Sequence, residues 1–388
     1  MIINKKIYKA LSRVFLRLCL LRRWTSDITD SKYDELAKQA INGIITFFLA
    51  CEEEHAGKSV HWENFPKIAL YRCFQKAYTL ADVSEGEVKS ICNTGGIPME
   101  KVALATSQII QKKTEKEFCE KLEKAMCSNE VRIFKAATSI ATYIELSENR
   151  HNFNGGYEDK AKSIVESMRD YMDISGFEKY SSEYSPMFCM LKTISRLRNQ
   201  SRWIIYARPI DCSVLGHLMD TAIFAYLMSL EENPEDEIRA TQMFFLGLFH
   251  DIPEAWTKDI PSPIKDTIEG FRDATEVFEL DMVEKNMYSL LPEYVVEKVK
   301  KVMMEDEKNS KYKTFMKGAD YLSASDECFR QIIGGTRDFN FYRAAVGLEQ
   351  SLESGKARLT QQAYVFYKEI VESIEKVKDS MIFYEEEE

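Results

Sequence analysis

The sequence predicts an all-α protein, a helical bundle in two similar halves. Three observations carry this expectation. Helix breakers are scarce, with 16 Gly and 9 Pro in 388 residues, while Leu, Lys, Glu, Ala and Met are abundant. Apolar residues recur at helical spacing along much of the chain. Landmarks of the first half also return in the second, in the same order and at a nearly constant offset.

The first element is MIINKKIYKALSRVFLRLCLLRRW. Arg13 and Arg17 interrupt its apolar run, and no small-residue cleavage site follows. It reads as a core helix with a basic outer face, in preference to a targeting segment or a membrane-surface helix. No later stretch reaches the roughly 18 uncharged apolar residues of a membrane span. Residues 216–231 and 238–251 read as helices, with Phe244, Leu248 and Asp251 at helical intervals. Asp259-Ile260-Pro261-Ser262-Pro263 reads as a loop, because two prolines this close break a helix. Residues 313–333, 341–354 and 359–382 read as helices, the first closed by Gly334-Gly335. Glu385–Glu388 reads as a solvated acidic tail.

The repeat is a matter of paired segments. Leu11-Ser12-Arg13 through Arg22-Arg23-Trp24 matches Ile194-Ser195-Arg196 through Ser201-Arg202-Trp203, and the two tryptophans stand 179 residues apart. Leu36-Ala37-Lys38 falls on Leu215-Gly216-His217 at the same offset. Phe74-Gln75-Lys76 falls on Phe249-His250-Asp251 at offset 175, and Lys135-Ala136-Ala137-Thr138 on Lys317-Gly318-Ala319-Asp320 at offset 182. Gly155-Gly156 falls on Gly334-Gly335, again at 179. The expected division is 1–178 and 186–388, joined near Ser175-Gly176 or in the polar stretch Glu178–Ser185.

Composition narrows the function classes. Hydrophobic residues are 45% and charged residues 29%, the balance of a soluble globular protein. A net charge of −10 argues against a general nucleic-acid binder, while leaving room for a local basic pocket. The nine cysteines are odd in number and form no Cys-x-x-Cys pair. They read as reduced core thiols of a cytoplasmic protein and not as a zinc finger.

The chemistry-bearing residues lie in the second half. Of five histidines, two are His217 and His250, and Asp251 follows His250 directly. Adjacent side chains at a helix end diverge by about 100° and can both reach one ion. Asp320 supplies a carboxylate from a later helix. Two His and two Asp make a mixed N/O set suited to a divalent metal with open positions for water and phosphate. Glu254 follows Asp251 by three residues and faces the same site if the helix continues, although Pro253 stands between them. It is placed to orient water or to protonate a leaving oxygen. A single histidine on an apolar helix is more often a core residue, so the reading rests on the whole set.

Residues 190–345 resemble the HD-domain phosphohydrolases, specifically the branch of deoxyribonucleoside 5′-monophosphate nucleotidases. That branch places an Arg-Trp pair ahead of the first metal histidine, and Arg202-Trp203 precedes His217. It carries His-Asp, a Glu three residues on, and a loop of the type Thr-Gly-Asp-Leu-Pro-Thr-Pro-Val-Lys. Here the string runs from His250-Asp251-Ile252-Pro253-Glu254 to Asp259-Ile260-Pro261-Ser262-Pro263-Ile264-Lys265. Its Lys-x-Ala-Asp is Lys317-Gly318-Ala319-Asp320. The resemblance implies that His217, His250, Asp251 and Asp320 hold the metal and that Glu254 is the catalytic acid/base. It implies Arg202 as a phosphate clamp, Trp203 as the wall that favours deoxyribose, and Asp259 as acceptor for the 3′-hydroxyl, with Ser262 in place of the family's Thr. Gly216 and Pro253 depart from the family pattern, which leaves the exact substrate open.

At the matching positions the first half has Lys38, Gln75, Lys76 and Thr138, a set hostile to a divalent cation. It therefore reads as a degenerate domain without metal. Because relatives of the second half often pair as homodimers, the chain is expected to form a pseudo-dimer within one monomer. The expected cofactor is one divalent ion, with Mn, Co, Fe, Ni, Zn and Mg all open. The expected partner is a small nucleotide, with no nucleic acid and no membrane. The leading activity is removal of the 5′-phosphate from (deoxy)ribonucleoside monophosphates. Alternatives are hydrolysis of triphosphates or cyclic nucleotides, for which Lys258, Lys265 and Lys317 are available, and a nucleotide-binding regulator with little turnover.

Overall fold

The computed structural model of the chain describes residues 2–25, 29, 31–150, 157–258, 260, 262–303 and 310–381. Every regular element among them is a helix, and the only β pairings are two isolated bridges. Asn4 caps the first helix, Lys5–Leu20, by accepting from the amides of Lys6 and Ile7. Its buried face runs Ile7, Tyr8, Leu11, Val14, Phe15 and Leu18, while Lys9, Arg13 and Arg17 stay exposed. No described helix is long and apolar enough to cross a membrane.

Two helices form the centre. Glu35–His55 is buried from Glu35 to Glu53, and Val214–Glu232 from Val214 to Leu230. A helix covered on all sides has to lie inside a bundle. The two pack against each other, with Leu36 lying on Gly216. Phe47 meets Phe245 and Phe249 at ring separations of 5.1 and 5.0 Å, and Tyr8 stacks on Phe224 at 6.0 Å. One continuous apolar core therefore runs through both halves of the chain.

Several helix boundaries differ from those the spacing predicts. The helix read over 238–251 is Glu237–Phe249, and that read over 313–333 is Ser310–Ile333. The stretch 341–354 is broken at Gly347 into Phe339–Val346 and Leu348–Glu353. The helix read over 359–382 is Gln361–Glu375. The proline-rich loop turns helical at Ser262–Thr267, because Pro263 sits in the first turn, where a missing N–H costs no intrahelical bond. Seven of the nine free thiols are buried, but Cys127 and Cys189 are exposed. Asp259, Pro261, Gly155-Gly156 and the acidic end lie outside the described residues, as does the side chain of Ser262.

The matched segments share local geometry. Trp24 and Trp203 both sit at left-handed φ, 58° and 59°. The bridges pair Arg22 with Asp34 and Ser201 with Ser213. The amide of Arg23 donates to Tyr33 O and that of Arg202 to Cys212 O, both at 2.8 Å. Asp34 then caps the Glu35 helix at the Ala37 amide, as Ser213 caps the Val214 helix at the Gly216 amide.

Gly247 lets the Glu237–Phe249 helix touch the Val214–Glu232 helix backbone to backbone. A Cβ there would stand 2.4 Å from Ala222 Cα and 2.7 Å from Ala222 N. Backbone cannot swing aside as a side chain can, so Gly247→Ala is expected to cost about 1–3 kcal/mol, the usual overpacking penalty. Urea unfolding monitored by circular dichroism measures this, and an unchanged midpoint would refute it.

Candidate active site

Four side chains from three helices and one turn converge. His217 lies in the first turn of the Val214–Glu232 helix, whose Ser213 cap fixes its start. His250 stands at the end of the Glu237–Phe249 helix, and Asp251 opens the turn that follows. Asp320 comes from the middle of Ser310–Ile333. Ligand atoms of His217, His250 and Asp251 lie within 4.8 Å of one another. His217 Nε2 is 3.0 Å from Asp320 Oδ1, and the two imidazole centroids are 5.6 Å apart.

The ring orientations follow from what holds the other nitrogen. His250 Nδ1 donates to Gly247 O at 2.8 Å, so Nε2 presents its lone pair. That Nε2 is buried without a well-directed hydrogen bond, 3.2 Å from Asp251 Oδ2. His217 Nδ1 donates to Glu327 Oε1 at 3.0 Å, with the Ser323 hydroxyl 3.1 Å from the same nitrogen. Its Nε2 therefore faces Asp320 and the cluster. Two Nε2 atoms and two carboxylates aimed at one point fit a divalent cation in chemistry and in reach.

Electrostatics agrees. Burial and Arg202 push the His217 imidazole down, but Glu327 and Asp320 outweigh them and raise it to about 10. Burial works against the Asp251 carboxylate, yet His250 and His217 hold it well below the usual range. Asp320 is lowered in the same way, by His217 and then His250, against burial. The site thus stabilises anionic oxygens beside a positive centre, here the protonated imidazole, as a metal ion would.

Glu327 is the residue that reading the sequence missed. Its buried carboxylate takes Arg202 Nε at 3.0 Å, Trp203 Nε1 at 2.9 Å and His217 Nδ1 at 3.0 Å. It lies two helical turns beyond Asp320, on the same face. A signal existed, since Glu145 matches it at offset 182, the offset of the Thr138 and Asp320 pair. Glu145 plays the same part in the other half, accepting from Trp24 Nε1 at 2.9 Å and Arg23 Nε at 3.3 Å.

Carboxylates that orient a ligating histidine are worth about 10–100-fold in metal affinity or activity. Glu327→Gln is expected to fall in that range, because an amide can turn its N–H toward His217 and flip the tautomer. Metal titration by calorimetry checks it. Wild-type affinity would show that Glu327 only packs.

Glu254 does not extend the His250 helix. The chain turns through Asp251–Pro253 and restarts at Glu254–Thr257, with the Glu254 amide on Asp251 O at 3.1 Å. Gln200 Nε2 donates to Glu254 O at 2.9 Å, tying this turn to the Arg202-Trp203 loop. Glu254 itself is buried at the edge of the cluster's own turn. In the first half, Lys38 Nζ donates to Thr142 Oγ1 at 2.8 Å, Lys76 Nζ to the carbonyls of Ala81 and Val83, and Thr138 Oγ1 to Phe134 O.

Comparison with known proteins covers the second half. The sequence profile of the 5′-deoxynucleotidase YfbR-like family matches residues 189–374. A 5′-deoxynucleotidase of Photorhabdus temperata is 25% identical over 162 residues, 41% of this chain and 80% of that protein. One of Shewanella oneidensis is 26% identical over 163 residues, 42% and 82% of the two chains. The YfbR 5′-deoxynucleotidase of Escherichia coli O1:K1 is 24% identical over 182 residues, 46% and 88%. No solved structure matches the chain. The motif residues, their convergence and this similarity agree, and residues 189–374 are similar to the 5′-deoxynucleotidase YfbR-like family.

Proposed function

We propose that the protein is a divalent-metal-dependent phosphohydrolase that removes the 5′-phosphate from deoxyribonucleoside monophosphates. The observation that carries this is the pair of imidazoles with both Nε2 atoms turned to Asp251 and Asp320, each ring fixed through its Nδ1. His217, His250, Asp251 and Asp320 would hold the ion. When bound, a divalent ion at such a site supplies Lewis acidity, lowering the pKa of water and neutralising charge on phosphoryl oxygens.

The chain's own residues do the rest. Arg202 presents its guanidinium beside the cluster, anchored at Nε by Glu327, with its terminal nitrogens suited to the fork geometry of a phosphate. Trp203, pinned at Nε1 by the same carboxylate, is assigned the wall beside the sugar that disfavours a 2′-hydroxyl. Glu254 delivers a proton to the departing 5′-oxygen. Asp259 is assigned the 3′-hydroxyl and Ser262 the loop hydroxyl. The names of the relatives favour the deoxy sugar. The test is phosphate release from deoxy- and ribonucleoside mono-, di- and triphosphates with Mn, Co or Mg. Release from deoxymonophosphates supports the reading; none from any member, with metal bound, overturns it.

The organisation is part of the same reading. Residues 1–178 and 186–388 are two units of one ancestry, the first without metal ligands, packed as a pseudo-dimer in a cytoplasmic monomer. The recurring left-handed tryptophan, bridge, cap and buried glutamate support it. A native mass equal to a single chain is the expected result.

A further inference from the structure

The first half carries an open cavity of about 570 Å³ at the place that corresponds to the active site of the second. This is within the range of small-molecule sites, about 300–1,000 Å³. Its wall is rich in cations. Lys38, whose side chain is 1% exposed, stands 3.8 Å from Glu145 Oε2. The same buried Glu145 also serves Arg23 and Arg198, so one carboxylate answers three cations. Lys76 donates to the carbonyls of Ala81 and Val83, and Arg72 and Lys135 share Glu85. Glu35 takes Arg23 as well. Asp82 and Glu87 lie at the mouth, where they accept from Thr25 and from the Ser84 amide. The interior is left with more ammonium and guanidinium groups than carboxylates.

Such a wall repels a divalent cation and attracts a polyanion. Burial, helped by Arg23 and Arg198 against the opposing pull of Glu145 and Glu35, pushes Lys38 well below an ordinary lysine, and burial lowers Lys76 too. An anion between them would reverse that. Hydroxyls of Thr138, Ser139 and Thr142 line the same cavity; each donates to a carbonyl of its own helix and would rotate to meet a phosphate beside the Lys and Arg groups. Trp24, Ile164 and Tyr171 also line the cavity, apolar surface of the kind a nucleobase packs on, with Lys160 Nζ 5.9 Å from the Trp24 ring centre. Gln39 Oε1, buried in the lining, has no hydrogen-bond partner and is free to accept from a base or sugar.

We propose that this cavity binds a nucleoside phosphate, without a metal ion and without hydrolysing it. The phosphate lies against Lys38, Lys76 and the threonine hydroxyls, and the base lies against Trp24 and Tyr171. The degenerate half is thus a second nucleotide site, distinct from the metal cluster.

The test uses the full chain carrying Asp251→Ala, in EDTA, so that metal-dependent binding at the other site is absent. Binding of dAMP, dATP, deoxyadenosine and inorganic phosphate is measured by calorimetry. We expect one saturable equivalent of nucleotide per chain, with deoxyadenosine at least about tenfold weaker. Adding Lys135→Gln, a partly exposed wall position whose partner Glu85 keeps Arg72, should weaken nucleotide at least about tenfold with the ligand-free melting temperature little changed. Lys38→Met should weaken nucleotide likewise from the buried side. Absence of saturable binding, or binding indifferent to both changes, overturns the proposal. Inorganic phosphate binding as tightly as dAMP overturns its nucleoside part.

Discussion

Asp251→Ala should abolish phosphate release, on the order of a thousandfold or more, and should strip the metal from the purified protein. Asp251 is the one carboxylate that the chain places directly beside His250 Nε2, at 3.2 Å. It is held ionised against the cost of burial by the two imidazoles. Its removal leaves two nitrogens and Asp320 to hold a dication, and lost charge stabilisation of several kcal/mol is typical when a Lewis acid is lost. At about 1.4 kcal/mol per factor of ten, that is the stated effect. The residue lies in a turn and caps no helix, so helix content should not change. Metal content by mass spectrometry and steady-state phosphate release are the two measurements. Turnover within a few fold of wild type would move the chemistry elsewhere in the molecule.

His217, His250, Asp251 and Asp320 were legible because their residue types and spacings are unusual against apolar helices, and the fold brings them to one point. The all-helical class was legible for a different reason, the scarcity of Gly and Pro. Glu327 was not, since an acid on an amphipathic helix normally reads as solvated surface. Its burial follows only from three donors, Arg202, Trp203 and His217, arriving from another part of the chain. The continuous core was hidden likewise. Periodicity says that the Glu35–His55 and Val214–Glu232 helices have apolar faces, but not that they cover one another. Boundaries failed at Pro263, which starts a helix where two prolines suggested a loop, and at Gly347, where one expected helix splits in two.

Glu254→Gln separates an enzyme from a nucleotide binder most sharply. The change keeps shape and removes only the ionisable proton. The main chain fixes its position from both sides, through Asp251 O to its amide and Gln200 Nε2 to its carbonyl. Gln at this position therefore has little reason to move. Loss of a positioned general acid costs about 10²–10⁴-fold in kcat. Metal content and KM should change little, in contrast to Asp251→Ala. The alkaline limb of the pH–rate profile should also change shape, because a general acid acts only while protonated, and a purely structural role would not produce this. A binder without turnover would show the same nucleotide affinity in both proteins and no rate to lose. If Glu254→Gln retains full turnover while Asp251→Ala loses it, then the metal site stands and the proton reaches the leaving oxygen from another group.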